Sequence, residues 1–188
     1  MAPLEEKSTT GHSLTLDHPL RIKELEENFF GASGFPADCV LLGLSQIFRK
    51  KGINCDLVIS GINKGANLSQ DIYYSGTVAG AREAAFRNIP SIAISSCLDF
   101  MGPDLFLERY LTASNFIKNL VRLNINKFID SHSLLNINVP WVDESQLDGV
   151  EITNLGKRIY SDDVTERCDE RGRPYYCCLL YTSDAADD

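Results

Sequence analysis

From Asp56 to Thr77 the chain reads Asp-Leu-Val-Ile-Ser-Gly-Ile-Asn-Lys-Gly-Ala-Asn-Leu-Ser-Gln-Asp-Ile-Tyr-Tyr-Ser-Gly-Thr, and this stretch limits the fold more than any other. Leu57 to Ile59 is a short apolar, β-branched run closed by the turn residues Ser60 and Gly61, the pattern of a buried strand. Polar side chains among glycines follow: Asn63, Lys64, Gly65 and Asn67. Ser75-Gly76-Thr77 then opens a helical run through Val78, Ala81 and Ala85. Hydroxyls and N–H groups without intrahelical acceptors therefore collect at a helix start, which favours an anion such as phosphate. In an open parallel sheet, ligands gather outside the carboxyl ends of the strands, where this loop stands.

The neighbouring segments agree with such a sheet. Pro36 suits a first helical position, and Val40, Leu41, Leu44, Ile47 and Phe48 form one apolar stripe ending at Gly52. The helix after Ser75 is small-residued at Ala79, Gly80 and Ala84 and stops at Asn88-Ile89-Pro90; Ser91 to Ser95 reads as the next buried strand. Strand, helix and strand at this spacing make a right-handed βαβ unit. Phe106, Tyr110, Ala113, Ile117 and Leu120 mark a further helix with one apolar face, and Leu134 to Val139 a further strand, whose Asn136 and Asn138 can satisfy buried backbone as readily as bind a ligand. Toward the N-terminus, Ser13-Leu14-Thr15-Leu16 alternates as a strand, and residues 21–30 read as polar connecting structure with a short helical segment at Ile22. Ser96 to Asp104 reads as a loop beside the site. Val150 to Thr153 and Ile159-Tyr160 read as short β segments.

Ser-Gly-Ile-Asn-Lys-Gly-Ala-Asn followed by Tyr-Ser-Gly-Thr-Val-Ala resembles the signature of the SurE family, divalent-metal-dependent nucleotidases. The likeness extends through Lys7-Ser8, Ser13 to Leu16, Pro36 to Cys39, Leu135 to Pro140 and Arg171 to Tyr176. It implies an α/β fold: a Rossmann-like three-layer sandwich with a mostly parallel sheet and a β-hairpin arm near the C-terminus used in dimer contacts. It also implies hydrolysis of nucleoside monophosphates with one divalent metal ion, Mg²⁺ or Mn²⁺, and a homodimer or homotetramer. Carried over residue by residue, Ser8 and Asn63 become metal ligands, and Asn67, Ser75, Gly76 and Thr77 hold phosphate, with Lys64 a charge partner. The family has Thr where Phe35 stands. His12 carries no assignment.

Two expectations concern the ends. The family's first β-α unit, with an Asn-Asp-Asp-Gly motif that supplies its main metal-binding carboxylates, has no match in this sequence, so Met1 aligns to an internal strand end. Asp71 is the nearest substitute carboxylate, although an Asp in a loop more often serves a turn. Residues 1–177 are expected to form one domain, and residues 178–188, which match no family segment, to be a translated transposon-end adapter.

Composition narrows the alternatives. A net charge of −8 disfavours nucleic acid, and no run approaches the length of a membrane span. The six cysteines are scattered, with Cys177-Cys178 adjacent rather than spaced for zinc, so they read as reduced thiols of a cytoplasmic protein. Beside the enzyme stands a second reading, a nucleotide- or phosphate-binding module without catalysis because the metal-binding aspartates are absent. A third is that a sheet with a bare edge does not fold alone.

Overall fold

The computed structural model describes residues 1–7, 10–97, 108–130, 132–157 and 164–178. The chain divides into two compact units, residues 1–153 and 154–188.

In the first unit, β4 (Val58–Lys64), β5 (Ser91–Cys97) and β6 (Leu134–Pro140) form a parallel sheet in that order. Side chains on β5 alternate between its faces. Ile92 and Ile94 pack with Ala113 of α5 (Leu111–Arg122) and with Val139, whereas Ala93 packs with Val78 and Ala81 of α4 (Gly76–Ala85). One sheet between two helical layers is the architecture the sequence implied. Both crossovers, β4 to β5 through α4 and β5 to β6 through α5, join adjacent parallel strands.

Helix α1 (Pro36–Leu42) begins at the expected proline, runs through a π-helical turn at Gly43–Phe48 and ends as α2 (Arg49–Lys51). Gly52 closes it at φ 65°, the left-handed region open to glycine. Helix α1 packs against α4, and α4 in turn against β4 and β5. Strand β4 runs beyond the expected Ile59 to Lys64, with an irregularity between Ser60 and Asn63. That irregularity lets the polar end of the strand continue pairing with Ser95 and Ser96.

A second small sheet has the order β1 (Ala2–Pro3), β3 (Phe29–Ala32), β2 (Ile22–Glu26). Here the sequence reading needs correction. Residues 22–30 are a hairpin rather than connecting or helical structure, because Asn28 adopts φ 64° and makes a two-residue turn that pairs Glu26 with Phe29. Ser13 to Leu16, expected as a strand, has no strand partner. Buried Asp38 takes the Thr15 N–H at 3.0 Å and its hydroxyl at 2.7 Å, so the polar groups of this segment are satisfied by a side chain instead of a ladder. Val150 to Thr153 is likewise not a strand. Ile159-Tyr160, Phe106 and most of the 96–104 loop lie outside the described residues.

Strands β1 and β4 each end their sheet, and a cavity of about 190 Å³ is lined by Met1, Ala2 and Pro3 together with Ile59, Ser60 and Gly61. Cys39 lines the same cavity from α1. The second unit contains an antiparallel hairpin, β7 (Val164–Cys168) with β8 (Pro174–Cys178), the arm the resemblance led us to expect. No helix among the described residues is long and apolar enough to cross a membrane.

Two outcomes test this packing. A Cβ on Gly61, at φ 137°, would lie 2.4 Å from the Ile94 carbonyl oxygen, so Gly61→Ala is expected to destabilise the chain by about 3 kcal/mol in urea unfolding. Burial pushes the Cys39 thiol from 9.0 up to about 11, with the nearby Asp38 carboxylate adding to the rise against the N-terminal ammonium. The folded state favours the neutral thiol. The stability Cys39 contributes relative to Cys39→Ala is therefore present below pH 9.0 and is lost as pH rises through about 11. Paired melts across that range check it.

Candidate phosphate site

The site is built where β4 ends and α4 begins. Ser75 caps the helix: its Oγ accepts from the Val78 N–H at 3.1 Å, so the capping role foreseen for the Ser-Gly-Thr run is filled. Gly76 and Thr77 are the first two helical residues, and backbone N–H groups at those positions have no acceptor within a helix. Gly76 is buried, and the reason it has no side chain is local. A Cβ there would lie 3.0 Å from Pro36 Cγ and 3.4 Å from the Lys7 carbonyl oxygen, so the loop that follows β1 passes directly over the helix start.

Asn63 stands opposite. Its Nδ2 donates to the Gly65 carbonyl at 2.8 Å, which turns Oδ1 toward α4, where the Thr77 hydroxyl donates to it at 3.3 Å. Four of the residues singled out from sequence, Asn63, Ser75, Gly76 and Thr77, thus converge on one helix N-terminus. Lys64 is exposed at the strand end.

Asn67 is placed differently. It is buried, its Nδ2 donates to Ser95 Oγ at 2.8 Å, and its N–H donates to Asn138 Oδ1 at 2.8 Å. The amides of Asn136 and Asn138 in turn donate to the Asn67 carbonyl, at 2.8 and 3.1 Å. These contacts hold the 65–70 loop onto β5 and β6, and they give the two β6 asparagines the backbone-satisfying work anticipated for them. Ser8 lies outside the described residues. Asp71 heads the short helix α3 (Asp71–Tyr74), and its carbonyl accepts from the Ser75 N–H at 2.9 Å.

Sequence reasoning missed three residues that shape the site. Asp38 accepts from the Phe35 N–H at 2.9 Å as well as from Thr15. Glu83 is buried on α4, where Arg87 pairs with it one turn further on. His12 Nε2 lies 2.8 Å from Glu83 Oε2. A buried carboxylate inside an otherwise small-residued helix face is the signal that could have found this cluster, since such a group persists only with donors around it. Lys7, beside the site, pairs with Glu5 at 3.0 Å and stands 5.7 Å over the Phe35 ring. The aromatic ring occupying the position of the family's Thr therefore supports this lysine.

The oxygen donors at this site suit a hard cation in kind but not in number. Asn63 Oδ1 and the Thr77 hydroxyl are neutral, and no group of three His, Cys, Asp or Glu side chains converges among the described residues. Mg²⁺ and Mn²⁺ are held by carboxylates with water and neutral oxygens, so these residues do not by themselves fit the ion.

Comparison with known proteins follows from this geometry. The profile of the family described as "Survival protein SurE" matches residues 1–162. The chain is 44% identical over 186 residues to the 5'-nucleotidase SurE of Natranaerobius thermophilus, covering 94% of this chain and 68% of that protein. It is 44% identical over 182 residues to the 5'-nucleotidase SurE of Fervidobacterium nodosum, covering 95% of this chain and 68% of that protein. The crystal structure of the Sure protein from Aquifex aeolicus superposes with a TM-score of 0.76 at 36% identity, covering 94% of this chain and 68% of that one. A profile matched over most of the chain, with relatives this similar and a fold this close, shows that the chain belongs to the SurE family.

Proposed function

We propose that this chain carries the substrate site of a phosphomonoesterase of the nucleotidase type, binding the phosphate of a nucleoside monophosphate at the start of α4; the reaction of that class releases nucleoside and inorganic phosphate. The observation that carries the reading is the convergence of Ser75, Gly76 and Thr77 with Asn63 at one helix N-terminus. Relatives 44% identical to this chain bear the name 5'-nucleotidase SurE. Monoester hydrolysis requires negative charge on the phosphoryl oxygens to be balanced while water attacks and an alkoxide leaves. The N–H groups of Gly76 and Thr77 hold the non-reacting oxygens, and the Thr77 hydroxyl turns its one proton from Asn63 to a phosphate oxygen when the ligand binds. The helix dipole adds a partial positive charge at the same point.

The family implies one divalent ion, Mg²⁺ or Mn²⁺, whose chemistry is to neutralise phosphoryl charge and activate water. Asn63 and Ser8 are the oxygen donors we assign to it. The carboxylates it needs are not among the described residues at the site; the second reading is a nucleotide- or phosphate-binding module that holds its ligand without turning it over. The remaining proposals are that the protein is cytoplasmic, acts as a homodimer or homotetramer, has no nucleic-acid or membrane partner, and is one domain over residues 1–177 with an unrelated tail at 178–188.

Release of phosphate from AMP by the 188-residue chain in millimolar Mn²⁺ is expected to be negligible, and steady turnover in a coupled phosphate assay overturns the view that essential ligands are lacking. Binding is tested separately. Thr77→Val removes the hydroxyl and keeps the N–H, so it is expected to weaken AMP affinity about tenfold in calorimetry. Asn67→Ala strands Ser95 Oγ in the interior and is expected to cost about 1–3 kcal/mol of stability. An Asn67→Ala chain as stable as the parent but unable to bind AMP would return Asn67 to the phosphate.

A further inference from the structure

We propose that His12 is a positioning residue for the phosphate site, clamping residues 10–13 along α4 through its contact with Glu83. The inference rests on the phosphate reading above and adds to it a residue that does not touch the ligand.

The loop has no regular structure from Lys7 to Leu20 among the described residues, so its course is set by individual contacts. Two of them tie it to the helical hairpin that carries the site. The Gly11 N–H donates to the Tyr74 carbonyl at 2.9 Å, one residue before the Ser75 cap. His12 Nε2 meets Glu83 Oε2 at 2.8 Å, about two turns along α4. Together they fix the loop at two points along the helix.

The Glu83 side chain is only 4% exposed, and a carboxylate in that position requires donors. Arg87 supplies one from the same helix, which holds the carboxylate but says nothing about the loop. His12 supplies the other from the loop itself. Its ring also stacks on Phe86, with centroids 5.5 Å apart and planes at 16°, so two contacts set the imidazole's orientation. A solvated loop histidine needs neither.

Consequence for the site comes through Lys7. Its carbonyl abuts Gly76, and the Thr10 hydroxyl donates to that carbonyl at 3.3 Å, which links the two groups to the part of the loop that His12 fastens. A shift of the loop of about an ångström moves those groups relative to the N–H groups of Gly76 and Thr77, and misplacement on that scale is costly to a site.

The experiment combines amide exchange with phosphate binding in the full chain. His12→Ala is expected to speed exchange of the Gly11 amide at least about tenfold relative to the Ile92 and Ile94 amides of β5. It is also expected to weaken inorganic phosphate binding about tenfold, the effect typical of losing an outer supporting contact. His12→Gln, whose amide still donates to Glu83, is expected to recover both. If His12→Ala does not fold, His12→Ser, too short to reach Glu83, makes the same comparison. Gly11 and β5 amides accelerating together, or phosphate affinity unchanged in a folded His12→Ala chain, overturns the proposal. Failure of the unsubstituted chain to bind phosphate overturns the underlying site reading instead, and Gly11 exchange, which needs no ligand, separates the two cases.

Discussion

The close seating of α4 on the sheet is the constraint on which the rest of this structure depends. Its underside is Val78, Ala79, Ala81, Ala84 and Ala85, all buried, and Gly80 approaches Ser60 so closely that a Cβ would lie 2.7 Å from its Oγ. Small residues let the helix axis come near the strands, and that nearness places the first turn beside the end of β4. With larger residues on this face, Thr77 and Asn63 could not meet. The individual apolar gain per alanine is small, so the helix's position is fixed by fit on both sides, against β4 and β5 below and α1 beside it.

That seating leaves a polar loop, residues 65–70, to be carried across the carboxyl ends of the strands. The solution is a hub at Asn67, whose backbone and side chain are taken up by Ser95, Asn136 and Asn138. Each unpaired group of Asn67 would cost about 1–3 kcal/mol, and three side chains from two strands take them up, leaving Asn136 Oδ1 buried without a partner among the described residues. The arrangement also explains why β5 carries Ser95 and Ser96 toward its carboxyl end while Ile92, Ala93 and Ile94 are fully buried in its middle. In β6 the asparagines that hold the loop lie within the strand itself, alternating with Leu135, Ile137 and Val139.

Much of this was legible in the residues. Strand–helix–strand order, the proline start and glycine stop of the first helix, and the serine cap of α4 follow from local rules that tertiary contacts here reinforce. The failures have one cause in common. Ser13 to Leu16 alternates like a strand, yet Asp38, distant in sequence, captures Thr15. Ile22 to Glu26 looks helical by composition, yet the left-handed Asn28 and the β-favouring Phe29 and Phe30 fold it back as a hairpin. The resemblance assigns Asn67 to phosphate, and only the distances to Ser95 and Asn138 show the contacts it makes in the fold. His12 was passed over because its partner is 71 residues away. Side-chain partners at long range are invisible to periodicity and propensity, which is why the frame was readable and the division of labour within the loop was not.

That division has a chemical consequence. The groups converging on the α4 N-terminus are neutral, and most charged groups nearby are already engaged: Lys7 with Glu5 and the Phe35 ring, Arg87 and His12 with Glu83, and Arg82 donating to the Ile72 carbonyl at 3.1 Å; Lys64, next to Asn63, is exposed at the strand end. A dianionic phosphate held by N–H dipoles and a hydroxyl is positioned well but poorly neutralised, especially on a chain of net charge −8. Holding and hydrolysing are then separable demands on the same site. On the proposed reading, this chain's own backbone answers the first, and the second calls for positive charge that the neutral donors can orient but do not supply.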